Sequence, residues 1–247
     1  MSDETFAALR VLADQLDVRV QIHLHETAAE IEISLRSTGK RPFERLIDAG
    51  LVNRSLLAVH AVHMIDEEIA RFADAGVSIA HCPNSNLKLA SGIADIAKYR
   101  EAGLNVALGT DGAASNNMLD LFSEMRTAAL LAKTTASDAS AISASEALHM
   151  ATLGGAQALG LERSTGSIET GKMADLACVD LSNLNSQPVY DVISQLVYAV
   201  RSDQVADVWV GGRHQLDNGE FAHIDTDGLI ARCNEWRERI AATGEIQ

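Results

Sequence analysis

The chain has 247 residues, 47% of them hydrophobic, and its 34 Asp and Glu outnumber 20 Lys and Arg, for a formal net charge of -14. That is enough to bury a substantial core, as one large domain or two modest ones. No basic run offers a surface for phosphates, which argues against nucleic-acid and anionic-membrane partners. The three cysteines, Cys82, Cys178 and Cys233, show no C-x-x-C spacing and suit reduced thiols in a cytoplasm. Met1 to Thr5 lacks the positive charge and apolar stretch of a signal peptide, and no apolar run is long enough to span a membrane. A cytoplasmic protein is the expectation.

Taken in order, Ser2 is placed to cap a helix over Asp3 to Gln15. The β-branched run Val18 to Ile22 predicts a buried strand that delivers His23, His25 and Glu26 at its end. Strand alternation puts His23 and His25 on one face and Leu24 on the other. A helix follows over Ala28 to Ser37, and Pro42 opens another that runs to Ala49 before Gly50. Ser55 to Val59 predicts a second strand ending in His60, and a helix over Asp66 to Ala75 stops at Gly76. Val77 to Ala80 is the third strand, ending in His81, with a helix from about Ile93 to Ala102. Leu104 to Leu108 is the fourth, ending in Gly109-Thr110-Asp111-Gly112.

Four strand-then-helix units predict an α/β fold with a parallel sheet. In such folds the C-terminal strand ends line the active site. Those ends carry His23, His60, His81 and Asp111, a set that favours a metal-dependent enzyme over four unrelated structural residues. Further on, Met118 to Ala132 predicts a helix, Lys133 to Ala141 a loop, and Ser143 with Glu146 a capping box. Asp175 to Val179 and Val205 to Val210 then look like strands, with a tight turn at Gly211-Gly212. This divides the chain into a barrel-type part over 1–164, a β-rich accessory segment over 165–222, and a C-terminal helix (223–247) packing back on the barrel.

Each candidate also has a plainer reading. His23 ends a buried strand beside Glu26, which favours a ligand over a core histidine. His25 either orients a ligand or lines the pocket. Glu26 can shuttle protons between a water and a substrate nitrogen, yet a glutamate at a helix start is also what the helix dipole favours. His60, at the strand end, is the better electrostatic or proton-transfer candidate, whereas His63 either lines the pocket or caps the next helix. Asp111 can ligate a metal and accept a proton, although an aspartate in a turn is common. Gly166 to Met173 nearly matches a phosphate-binding P-loop, but Met173 replaces the hydroxyl that would hold magnesium, and a turn is expected there.

Together, His-Leu-His-Glu-Thr at 23–27, Ala-Val-His-Ala-Val-His at 58–63, His-Cys-Pro-Asn-Ser-Asn-Leu-Lys-Leu-Ala-Ser-Gly at 81–92 and Gly-Thr-Asp-Gly at 109–112 resemble the amidohydrolase superfamily, in its chlorohydrolase-like branch. The segment Gly166 to Leu176 resembles that family's return into its β-sandwich. The resemblance implies the C-terminal half of a (β/α)8 TIM barrel with part of a small β-sandwich. It also implies Zn2+, or another divalent metal such as Fe2+, with His23 and Asp111 as ligands. Glu26, His60 and Asp111 would be catalytic, and Glu26, His63 and Asp111 would contact substrate. The implied reaction is deamination of an adenosine-type nucleoside such as 5-methylthioadenosine or S-adenosylhomocysteine, with release of ammonia.

One departure matters. The family carries an H-x-H pair on its first barrel strand, and the only H-x-H here is followed by Glu26 and belongs to a later strand. Four βα units are also half of the eight that close a barrel. The expectation is therefore a C-terminal portion of a chain roughly 180–200 residues longer, whose activity alone stays open. Two other readings stay open: a guanine-type deaminase or triazine chlorohydrolase-like enzyme, and a non-catalytic half-barrel that binds a partner. Trp209, Trp236 and open sheet edges leave a homo-oligomer possible.

Overall fold

The computed structural model describes residues 1–243. Helix α1 (Asp3–Leu16) begins with Ser2 accepting a hydrogen bond from the Thr5 N–H, as its sequence predicts. Strand β1 (Val20–Leu24) leads into α2 (Ala28–Thr38) and α3 (Pro42–Asp48), then β2 (Leu56–His60) and α4 (Asp66–Ala75). Gly76 ends α4 at φ 68°, a left-handed conformation that costs glycine little. After β3 (Ser78–His81) come α5 (Pro83–Lys88) and α6 (Ile96–Glu101), then β4 (Asn105–Leu108) and α7 (Ala113–Asn116). Helix α5 was not foreseen; six residues opened by a proline are too few to show helical periodicity.

The four strands form one parallel sheet in the order β1-β2-β3-β4. Ile22, Ala58, Ile79 and Val106 lie across from one another in register and pack with Phe43, Leu46, Phe72 and Met125 of the surrounding helices. Phe43 and Phe72 meet edge to face, with ring centroids 5.0 Å apart. The next register row, His23, Val59, Ala80 and Ala107, takes the opposite face. This α/β architecture is that of half a (β/α)8 barrel, with four of the eight strands.

Helix α8 (Leu121–Ala136), with Met125, Ala128, Ala129 and Ala132 as its buried stripe, runs four residues into the stretch expected as a loop before Ser137 ends it at φ 51°. Then come α9 (Ala144–Ala151), with the predicted Ser143–Glu146 capping box, and α10 (Leu153–Leu159). Beyond them a second sheet, β5 (Leu176–Val179), β6 (Val205–Val210), β7 (Arg213–Asp217) and β8 (Glu220–Phe221), is antiparallel in that order. Gly211 and Gly212, both at positive φ, make its β6–β7 turn.

Two expectations about the later residues change. Helix α11 (Val192–Tyr198) lies between β5 and β6, and its Val197 is fully buried in the same core as the parallel sheet. The 165–222 segment is therefore not purely β-rich or accessory. Helix α12 (Thr226–Ala242) buries none of its described residues: Leu229, Ile230, Trp236 and Ile240 are all exposed. Its apolar stripe exists, but no layer of the described structure covers it; residues 244–247 of the expected segment lie outside the described part. Gly166 to Met173 is a turn, as expected, with Lys172 Nζ 2.5 Å from Ser167 Oγ. Among the described residues, no helix is long and apolar enough to cross a membrane.

Candidate active site

The ends of β1, β2 and β4 do not run out as regular strand. His25, His60, Ala61 and Asp111 all have positive φ (52°, 71°, 48° and 58°). Each such non-glycine residue costs on the order of 1–3 kcal/mol, which surrounding contacts must offset. The strain re-aims side chains that alternation would send elsewhere. His60 is the clearest case: it is enclosed, and its Nε2 lies 3.3 Å from His23 Nδ1, 3.7 Å from Glu26 Oε2 and 3.9 Å from Asp111 Oδ2. The two rings meet edge to face at 4.7 Å. On its far side, His60 Nδ1 is 2.8 Å from Asn86 Oδ1. With that amide oxygen accepting, Nδ1 carries the proton and Nε2 turns a lone pair toward the cluster.

The carboxylates are held as firmly. Thr27 caps α2 by accepting from the Glu30 N–H, and Glu30 in turn accepts from the Glu26 N–H at 2.9 Å, which fixes the turn bearing Glu26. Glu26 Oε1 then accepts from Ser91 Oγ at 3.1 Å, leaving Oε2 toward His60. Asp111 Oδ2 accepts from Ser115 Oγ at 2.6 Å and Ser85 Oγ at 2.7 Å. Burial pushes the Asp111 carboxyl up, but these hydroxyls and the Gly112 N–H outweigh it and hold the group below the usual range. Asp111 is therefore an anion at neutral pH.

Two of the expected histidines have other work. His25 does not share a face with His23, because its positive φ turns the ring into the helix layer. There it is fully buried, accepting from the Phe43 N–H at 3.3 Å and lying 3.4 Å from Glu68 Oε2. Arg41 grips Glu68 at 2.6 and 3.0 Å and donates to the His63 carbonyl at 2.8 Å. Burial opposes the charge on Glu68, yet His25 and Arg41 prevail and bring its pKa down to about 2. His81 is enclosed with no partner for either nitrogen, and burial, with His60 nearby, pushes it down to about 3. It stays neutral and makes no hydrogen bond to the cluster.

His63 does not cap α4; that position belongs to Ile65. Its Nε2–H donates to the Ser91 carbonyl at 2.7 Å, so Ser91 joins His63 to Glu26. Asn86, Ser85, Ser91 and Ser115 escaped the sequence reading. The first three lie in the 81–92 stretch, where Pro83, two residues after a strand-end histidine, was the available sign of a helix start.

His23, Glu26 and His60 each offer a ligand atom, all within 4.8 Å of one another, and Asp111 Oδ2 lies 3.9 Å from His60 Nε2. Imidazole nitrogens with carboxylate oxygens suit zinc or a similar divalent ion. One groove, about 630 Å³ and bounded by Phe6, Ile22, Glu30 and Arg45, reaches this cluster only at His23. A second group with the same spacing, Asp207, His214 and Asp217, sits on the antiparallel sheet.

The sequence profile of the amidohydrolase family matches residues 1–214. The chain belongs to the amidohydrolase family. Among curated members, 5-methylthioadenosine/S-adenosylhomocysteine deaminase of Teredinibacter turnerae is 45% identical over 242 residues, which cover 98% of this chain and 55% of that protein. The Moorella thermoacetica protein of the same name is 46% identical over 220 residues, covering 89% and 51%. In solved structures, an adenosine deaminase from Xanthomonas campestris with bound zinc superposes with a TM-score of 0.97 at 51% identity, covering 98% of this chain and 55% of that one. An atrazine chlorohydrolase from Arthrobacter aurescens complexed with zinc gives 0.90 at 33% identity, covering 95% and 52%. This amidohydrolase chain thus spans about half the length of the curated relatives it matches.

Proposed function

We propose that the rim cluster is the metal and proton-transfer centre of a hydrolytic deaminase acting on adenosine-type nucleosides, 5-methylthioadenosine and S-adenosylhomocysteine among them. One observation carries the reading: three strand ends, each with a positive-φ residue, turn His23, Glu26, His60 and Asp111 toward one point. Relatives named as deaminases of those nucleosides, at 41–46% identity, support the substrate class.

His23 and Asp111 would hold the ion. When bound, it supplies a water acidic enough to be deprotonated near neutral pH. Asp111, kept anionic by its serines, accepts the proton of the attacking water. Glu26 passes a proton to the purine ring nitrogen beside the amino-bearing carbon, so that negative charge does not build on the ring as oxygen adds. His60, with its tautomer set by Asn86, would accept a hydrogen bond from the attacking water through Nε2, and Asp111 would return the proton it took to the amino group, which leaves as ammonia. His63, bonded through Ser91 to the segment that steadies Glu26, stands on the substrate side.

The likeness to an atrazine chlorohydrolase favours one alternative, displacement of chloride from a triazine on the same frame. Zinc-supplied protein offered 5-methylthioadenosine, S-adenosylhomocysteine, adenosine, guanine and a chlorotriazine separates the two. Ammonia from the adenosine compounds, abolished in Glu26→Gln, is the expected result. Chloride release alone would select the alternative, and no product from any compound by zinc-bearing protein would contradict both.

A further inference from the structure

Glu124 is an acidic side chain with no exposed surface, on the first turn of α8. A glutamate at a helix start needs no burial to gain from the dipole. Here burial pushes its carboxyl above the usual range, against the hydrogen bonds it accepts. Its partners give the burial a purpose. Oε2 accepts from the Asn84 N–H at 3.1 Å, at the start of α5, and Oε1 accepts from Asn116 Nδ2 at 2.6 Å, at the end of α7. A third bond, Asn84 Nδ2 to Ser123 Oγ at 2.9 Å, doubles the tie between α5 and α8.

Both tied segments carry the polar groups that aim the site. Helix α5 brings Ser85 to Asp111 and Asn86 to His60. The α7 segment brings Ser115 to Asp111, and the Asn116 amide that meets Glu124 also donates to the Thr110 carbonyl at 2.6 Å, one residue before Asp111. Asp111 sits in a strained conformation that must be maintained from outside. We infer that Glu124 is a positioning residue: it locks the segments after β3 and β4 in register, and so fixes the aim of Asp111 Oδ2 and His60 Nε2. This rests on the reading of His60 and Asp111 as site residues, although its test needs neither metal nor turnover.

Glu124→Gln keeps the volume and one acceptor for the Asn84 N–H, but sets an NH2 group against that of Asn116. The direct readout is the pair of His60 ring nitrogens in long-range 15N–1H spectra of the full chain, assigned with His60→Gln and read beside the melting temperature. The parent is expected to show a fixed Nδ1–H tautomer. Glu124→Gln should lose it, moving toward averaged tautomers, while melting within several degrees of the parent. A His60 spectrum unchanged in the variant overturns the inference. Asn116→Ala severs the same tie from the other end and decides the matter if Glu124→Gln does not fold: a shifted His60 supports the role, an unshifted one refutes it. Failure of the deaminase reading would appear in product assays and leave this spectrum untouched.

Discussion

At the rim of the parallel sheet His60 is enclosed, held from behind by Asn86, and aimed by a backbone at φ 71°. On the antiparallel sheet His214 has a side chain 34% exposed, lies flat on Trp209 with ring planes 4° apart, and bonds Asp207 at 2.9 Å. Both places set a histidine and carboxylates within ligand distance. The second does so on paired strands, where His214 stands across from Trp209 beside a register shift at Val208 and Trp209. The first does so against local preference, with positive φ at non-glycine residues and four hydroxyl or amide partners spent on orientation. Proximity alone is cheap on an acidic surface. Strain and buried orientation are what the proposed site has and the sheet cluster lacks.

The largest effect should separate the two regions by activity. Glu26→Gln is expected to lower product release by about 10²–10⁴-fold, the usual worth of a positioned acid or base. His214→Ala should leave the rate within about twofold, and a comparable loss there would dissolve the distinction. Stability tests the same contrast. Glu68→Gln breaks a buried pair with Arg41 and His25 and should cost about 3 kcal/mol by urea unfolding. Asp207→Asn, more exposed, should cost under about 1 kcal/mol.

Acid should weaken the parallel-sheet region in two stages. His81 is neutral in the fold down to about pH 3 but takes a proton when unfolded near 6.5, so its contribution is complete above 6.5 and fades as pH falls toward 3. Glu68, depressed to about 2, contributes fully above its ordinary value of 4.5 and loses that contribution as pH falls toward 2. Urea midpoints should therefore fall steadily from pH 7 to 3. His81→Gln should flatten that curve from about pH 6.5 down to 3, leaving below 4.5 the slope due to Glu68, and an unchanged slope between about 6.5 and 4.5 would contradict the burial of a neutral His81.

Much of this was legible beforehand. The apolar runs and the glycine at 76 located the four parallel strands and their helices, because apolar strands and a left-handed helix end leave plain signatures, although β1, expected to be buried, leaves Gln21 and His23 exposed. Glu26, His60 and Asp111 were legible as strand-end chemistry. The face of His25 was not, because alternation fails once a residue takes positive φ, and no sequence feature announced that. Ser85 and Asn86 were hidden for another reason: α5 is too short for periodicity, so nothing showed which of its polar residues turn inward. Helix α11 was missed inside a stretch read as β-rich, where seven residues gave too little pattern against flanking strands.

The central claim is that the rim cluster, and not the sheet cluster, holds the metal. The most direct measurement is a zinc titration of the 247-residue chain against a competing chelator, repeated in His23→Ala, Asp111→Asn and His214→Ala. The account predicts one zinc site per chain, weakened about tenfold or more by either rim substitution and unmoved by His214→Ala. Zinc that persists in both rim variants, or disappears with His214→Ala, would contradict it.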